Sequence, residues 1–308
     1  MADRKTGIAD AVNIIRESDS TDITDELGII VNVSWSINLP ENPRSSVGKA
    51  PTLQAAVEQP AEVGLTMELE INDFRAFKLF GTFTDNGDGT YDVKLDDKLP
   101  EFTAKLEVTN NEDNLELTGL KFLGPNNLTI STGDAVNLTL EAQGKDADLL
   151  DENITQPDPA DPSQPLDAYL KLGGNDVASV DSATITYDRS QGPDAGPNRG
   201  LKNANADNRR QPDEIIEGNK FFDFDSTVEI TDKQAFEETF NSTSQPFGIE
   251  DATSRTTATI VINDGDDNFE LTDAKITENT GELTNEAGEI RTVDLSGNSF
   301  DASISGNT

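Results

Sequence analysis

The segment Thr103-Ala-Lys-Leu-Glu-Val-Thr-Asn-Asn-Glu-Asp-Asn-Leu-Glu-Leu-Thr-Gly-Leu-Lys-Phe122 returns later in the chain as Thr257-Ala-Thr-Ile-Val-Ile-Asn-Asp-Gly-Asp-Asp-Asn-Phe-Glu-Leu-Thr-Asp-Ala-Lys-Ile276. The offset is 154 without a gap, and eight of the 20 aligned residues are identical: Thr103, Ala104, Asp113, Asn114, Glu116, Leu117, Thr118 and Lys121. Working outward, Glu70-Ile-Asn-Asp-Phe-Arg-Ala-Phe77 matches Glu229-Ile-Thr-Asp-Lys-Gln-Ala-Phe236, and Thr132–Leu140 resembles Ala287–Leu295. The chain has 308 residues, so the offset is half its length. A solenoid repeats every 20 to 50 residues, whereas a 154-residue period is a whole domain. We expect two tandem duplicated domains, 1–155 and 166–308. They are joined by a Pro/Asp-rich linker at 156–165, inside the four-proline stretch Asp151–Pro165.

Each half reads as strand. Period-2 alternation marks Val31–Leu39, Leu65–Ile71, Phe102–Val108, Val136–Leu140, Ala183–Tyr187, Phe222–Ile230, Thr257–Ile262 and Thr292–Leu295. Asp85-Asn-Gly-Asp-Gly89 and Asn263-Asp-Gly-Asp-Asp-Asn268 are hairpin turns, because Asn, Asp and Gly accept positive φ. One short helix per half is predicted, Phe74–Phe80 capped by Asn72 or Asp73 and Lys233–Phe240 capped by Thr231 or Asp232. The expected fold class is therefore all-β, a sandwich or barrel with one short helix per domain.

Composition narrows the chemistry. There are 23 basic and 59 acidic residues, and 23 − 59 gives −36. Such a charge excludes a phosphate-gripping surface as the main mode of action. Without cysteine there are no disulfides or thiolate sites, and without histidine there is no Ser-His-Asp chemistry. No carboxylate pair stands out for glycoside hydrolysis, and Trp35 with three tyrosines makes no sugar-stacking platform. We expect a non-enzymatic protein with no cofactor and no resident metal. Asp85, Asp88 and Asp92 are clustered oxygen donors, but their spacing does not fit an EF-hand loop and they read as turn residues. The acidic excess runs along nearly the whole chain, which points to adaptation to molar salt, where self-repulsion is screened. No apolar targeting core follows Met1–Thr6, so the protein is expected to be made and kept in the cytoplasm or to leave by cell lysis, with no membrane association.

The order strand, long loop, strand, helix, strands, ending in Leu115-Glu-Leu-Thr-Gly-Leu-Lys-Phe122 and Ser131-Thr-Gly-Asp-Ala-Val-Asn-Leu-Thr-Leu-Glu-Ala142, resembles the major tail tube proteins of long-tailed (siphovirus-like) viruses. Val180–Asp188, a long loop, and Gly218–Ile230 repeat that order in the second half. Together with the acidity, the resemblance implies a virion protein of a virus infecting a halophilic archaeon. Its rings would stack into a tail tube, contact other tail proteins at the tube ends, and pass double-stranded DNA without binding it specifically. Six tube domains per ring then mean a pseudo-hexameric homotrimer, with a hexamer of chains as the alternative. The long loops Pro40–Glu62 and Asp188–Glu217 become inter-ring contacts, carried by Arg44, Lys49, Arg189, Arg199, Lys202, Arg209 and Arg210. Glu68, Glu70, Asp223, Asp225 and Glu229 become candidates for acids facing the bore. A cell-surface adhesin or envelope β protein of a halophile is the alternative function.

Overall fold

The computed structural model describes residues 3–8, 11–39, 41–44, 55–58, 61–108, 114–152, 154–155, 168–191, 196–197, 212, 214–230, 256–262, 266–281 and 291–307. The chain is almost all β, a closed six-stranded barrel with additional strands.

The first half begins with β1 (Asp3–Ile8), β2 (Ala11–Arg16), β3 (Thr21–Asp22), a 3-10 turn at Thr24–Glu26, and β4 (Ile29–Leu39). Then come β5 (Glu41–Arg44), β6 (Ala55–Glu58), β7 (Glu62–Ile71) and a 3-10 helix at Phe74–Leu79. It ends with β8 (Gly81–Asp85), β9 (Thr90–Leu95), β10 (Phe102–Glu107), β11 (Asn114–Leu120), β12 (Asn126–Ser131), β13 (Val136–Gly144) and β14 (Asp146–Leu150). The second half has β15 (Tyr169–Leu172), β16 (Asn175–Tyr187), β17 (Gly196–Pro197), β18 (Ile215–Ile216), β19 (Phe222–Ile230), β20 (Thr256–Ile262), β21 (Asp267–Gly281), β22 (Arg291–Ser299) and β23 (Asp301–Asn307).

Every strand expected from alternation is present, usually a few residues longer. The first expected helix also forms, as a 3-10 segment whose Asp73 cap accepts the Arg75 N–H. The second expected helix, Lys233–Phe240, lies outside the described residues, as does the whole of the expected linker 156–165. Both long loops carry short paired strands, β5 with β6 and β17 with β18.

The barrel closes in the order β16-β19-β22-β21-β20-β15 and back to β16, all antiparallel. In the first half the corresponding strands form two separate sheets, β4-β7-β13-β12 and β14-β11-β10-β2. Registers coincide between the halves. In the hairpin β10–β11, Phe102 is opposite Leu120 and Ala104 opposite Leu117, with a bulge between them. In β20–β21, Thr256 is opposite Ala274 and Ala258 opposite Leu271, with a bulge at the same place. All four residues are displaced by 154. Likewise β4 skips a residue between Ile30 and Asn32 against β7, and β16 skips one between Val180 and Ser182 against β19.

The halves share one hydrophobic core. Phe74 and Phe77 of the 3-10 helix lie 5.8 and 5.1 Å from Phe269 of β21. Phe80 lies 5.0 Å from Tyr187, which stacks on Phe222 at 4.6 Å. Each buried aromatic of this kind contributes roughly 1.5–3 kcal/mol from area alone. The helix thus closes the core between halves rather than covering one domain.

Candidate assembly surface

The strands β4-β7-β13-β12 of the first half and β16-β19-β22-β21 of the second join into one sheet. At the seam, β12 of the first half pairs antiparallel with β16 of the second, from Asn126 opposite Tyr187 to Ser131 opposite Ser182. Eight strands run on through this sheet, β4-β7-β13-β12-β16-β19-β22-β21, the last contributing its C-terminal part and β1 pairing on the outer edge of β4. Alternation gives this sheet two unlike faces. Val33, Met67, Leu69, Leu138, Leu140, Leu128, Ile185 and Phe224 point into the core.

The opposite face is polar. One row across it runs Asn32, Glu68, Thr139, Asn127, Thr186, Asp223, Asn298 and Lys275. The next contains Glu70, Asn137, Thr129, Thr184, Asp225 and Ser296. The expected acids Glu68, Glu70, Asp223 and Asp225 therefore stand in two adjacent rows of a single face, two in each half. Glu229 lies on β19, opposite Ser179 and Thr292. Glu141 and Asp294 add exposed carboxylates, both missed in the sequence. Burial, and after it the charges of Asp225 and Asp188, holds the Asp223 carboxyl above the ordinary aspartate range.

The seam has its own hydrogen bonds. Buried Asn126 donates through Nδ2 to the carbonyls of Phe122 (3.1 Å) and Tyr187 (3.3 Å), and its Oδ1 accepts the Glu141 N–H at 2.9 Å. Gly124, at φ +96°, lets the chain approach this point: a Cβ there would lie 2.6 Å from the Tyr187 carbonyl oxygen. The Arg189 N–H donates to the Leu123 carbonyl at 2.7 Å.

A buried ionic cluster backs the seam. Lys121, with no side-chain exposure, reaches Glu217 Oε1 at 2.6 Å and Glu101 Oε1 at 3.8 Å. Glu217 Oε2 accepts from Arg189 Nη2 at 3.1 Å and from the Leu99 N–H at 2.9 Å. Arg189 also donates to the carbonyls of Asp96 and Asp97. This corrects one expectation: Arg189 is buried and bound within its own chain, so it is not a cation offered to a neighbouring ring. Desolvating a guanidinium is tolerable only with such partners. Arg44 ends β5, opposite Ala55. Lys49, Arg199, Lys202, Arg209 and Arg210 lie outside the described residues.

The acidic turn is occupied by its own backbone. Asp85 Oδ1 accepts the Gly87 N–H at 2.8 Å, and Asp88 Oδ1 accepts Thr90 N–H and Oγ1 at 3.0 and 2.6 Å. Among the described residues no helix is long and apolar enough to cross a membrane. No protein-family model matches the sequence, and no curated protein matches it.

Proposed function

We propose that this chain is a structural virion protein whose rings stack into a tail tube that conducts double-stranded DNA, the two halves being copies of one duplicated tube domain. The observation that carries the reading is the eight-strand sheet, built four strands from each half across the β12–β16 seam, apolar on one face and acid-bearing on the other. A sheet of this kind removes its exposed edges by closing with copies of itself.

Strand count supports three chains per ring. Three sheets of eight make 24 strands, which at a spacing of 4.8 Å and a tilt of about 40° close a barrel on the order of 48 Å across between backbones. Six such sheets double that width, leaving a bore far larger than a double helix needs. The acids on the polar face would then line the bore and repel phosphates, so that DNA passes without sticking. The even acidity of the chain fits assembly in a salt-rich host cytoplasm.

Electron microscopy of the purified protein in molar salt tests the reading, with native mass measurement for the count. Stacked rings of three chains are expected. Dispersed monomers at every salt concentration overturn it, and monomers that bind sugars or cell surfaces favour an adhesin or envelope subunit.

A further inference from the structure

We infer that the β21 end of one chain's eight-strand run, whose outer edge at 275–281 carries no further strand among the described residues, docks on the β4 edge of a second copy in the register of the internal seam, and that β1 guards this edge until the second copy displaces it. The inference deepens the ring reading above and rests on it.

The seam supplies the template. Matched through their common registers, β16 corresponds to β4 at an offset of 150, and the C-terminal part of β21 to β12 at an offset of 153. Carrying the pairs Asn126–Tyr187, Asn127–Thr186 and Leu128–Ile185 across gives Asn279 opposite Ile37, Thr280 opposite Ser36 and Gly281 opposite Trp35. These two edges stand seven strand spacings apart along the sheet, a path of about 34 Å, and no pairing joins them among the described residues, so a second copy is the partner that brings them together. Asn126, whose amide locks the internal seam, has an asparagine as its counterpart, Asn279.

The lysine of the seam also has a counterpart. Lys121 bridges to Gln143, and Lys275, 154 residues on, pairs in register with Asn298. Lys121 is covered by Glu217, which follows β18. Lys275 is half-buried and has no ion-pair partner among the described residues.

Strand β1 now occupies that edge. Lys5 is opposite Ile37, Thr6 opposite Ser36 and Gly7 opposite Trp35, the three β4 residues that the second copy requires. An unassembled chain so protected presents no bare β4 edge for indiscriminate pairing. Docking exchanges one antiparallel strand for another on the same edge.

Because the chain has no cysteine, disulfides can report the exchange. Thr6→Cys/Ser36→Cys and Ser36→Cys/Thr280→Cys are oxidised before and after assembly in molar salt. The first pair should close within single chains before assembly, and the locked protein should form at least tenfold fewer rings. The second should link chain to chain only after assembly, giving a ladder that ends at three. Normal rings from locked β1, or assembled rings without the Ser36–Thr280 link, overturn the inference while leaving the tube reading intact. Wild-type protein that forms no rings sinks both.

Discussion

Lys121 and Glu217, 96 residues apart, meet at 2.6 Å in the interior, the lysine wholly covered and the glutamate nearly so. The pair ties the base of the second long loop to the first half. Removing one partner strands a buried charge, which typically costs about 3–5 kcal/mol, whereas removing both avoids that penalty. Glu217→Gln should therefore lower unfolding free energy by about 3 kcal/mol. Lys121→Met added to it should recover part of the loss. Denaturant midpoints across this double-mutant cycle give the coupling, and additive losses would show that the pair contributes nothing jointly.

Asn126 makes a smaller but more localised contribution. Its amide serves three backbone groups at the seam, one of them in the other half. Asn126→Ala leaves the Glu141 N–H and two carbonyls short of partners, at about 1–3 kcal/mol. The cost should fall on the seam: hydrogen exchange should accelerate first in β12 and the facing part of β16. Uniform acceleration over the whole chain would contradict this placement.

Asp223 titrates against its neighbours. Its carboxyl is held above the ordinary value, first by partial desolvation and then by Asp225 and Asp188, so the folded chain keeps this proton to higher pH than the unfolded one. Stability then falls as pH rises from the ordinary aspartate value through the raised one. Asp223→Asn should remove that part of the slope. Above the window it should exceed wild type by under about 1 kcal/mol, since the group faces water. Urea midpoints between acid and neutral pH check the sign; a variant less stable than wild type at neutral pH refutes it.

What could be read in the sequence was what alternation carries. Strands such as Glu62–Ile71, where apolar residues occupy every second position, announce themselves, and the Asp73 cap announces its helix. β12 did not, because Asn126–Ser131 has only Leu128 and Ile130 as apolar markers, yet it makes the seam. β15 and β23 are equally faint. Edge pairing is a backbone property with little side-chain signature, and contacts such as Lys121–Glu217 have no local spacing to betray them. The acids of the polar face could be named from alternation, but their convergence on one face required the seam. Arg189 reads as a free cation because its place in a long loop gives no hint that its guanidinium is spent on carbonyls of Asp96 and Asp97.

The same face predicts how salt acts. Glu68 and Glu70 share one side of β7, as Asp223 and Asp225 share one side of β19, and residues two apart on a strand lie about 7 Å from each other. Screening extends about 10 Å at 0.1 M salt and only about 3 Å at 1 M, so these pairs repel at the lower concentration and scarcely sense each other at the higher. The thermal midpoint of the chain, with its charge of −36, should climb between 0.1 and 1 M sodium chloride in proportion to this screening. Changing Glu68 and Glu70 to Gln and Asp223 and Asp225 to Asn removes four of the charges and should flatten the climb, raising the low-salt midpoint most. Melting followed by circular dichroism at several salt concentrations separates the cases. A slope unchanged in the fourfold variant would place the salt dependence elsewhere on the surface and deny this face any special share of the repulsion.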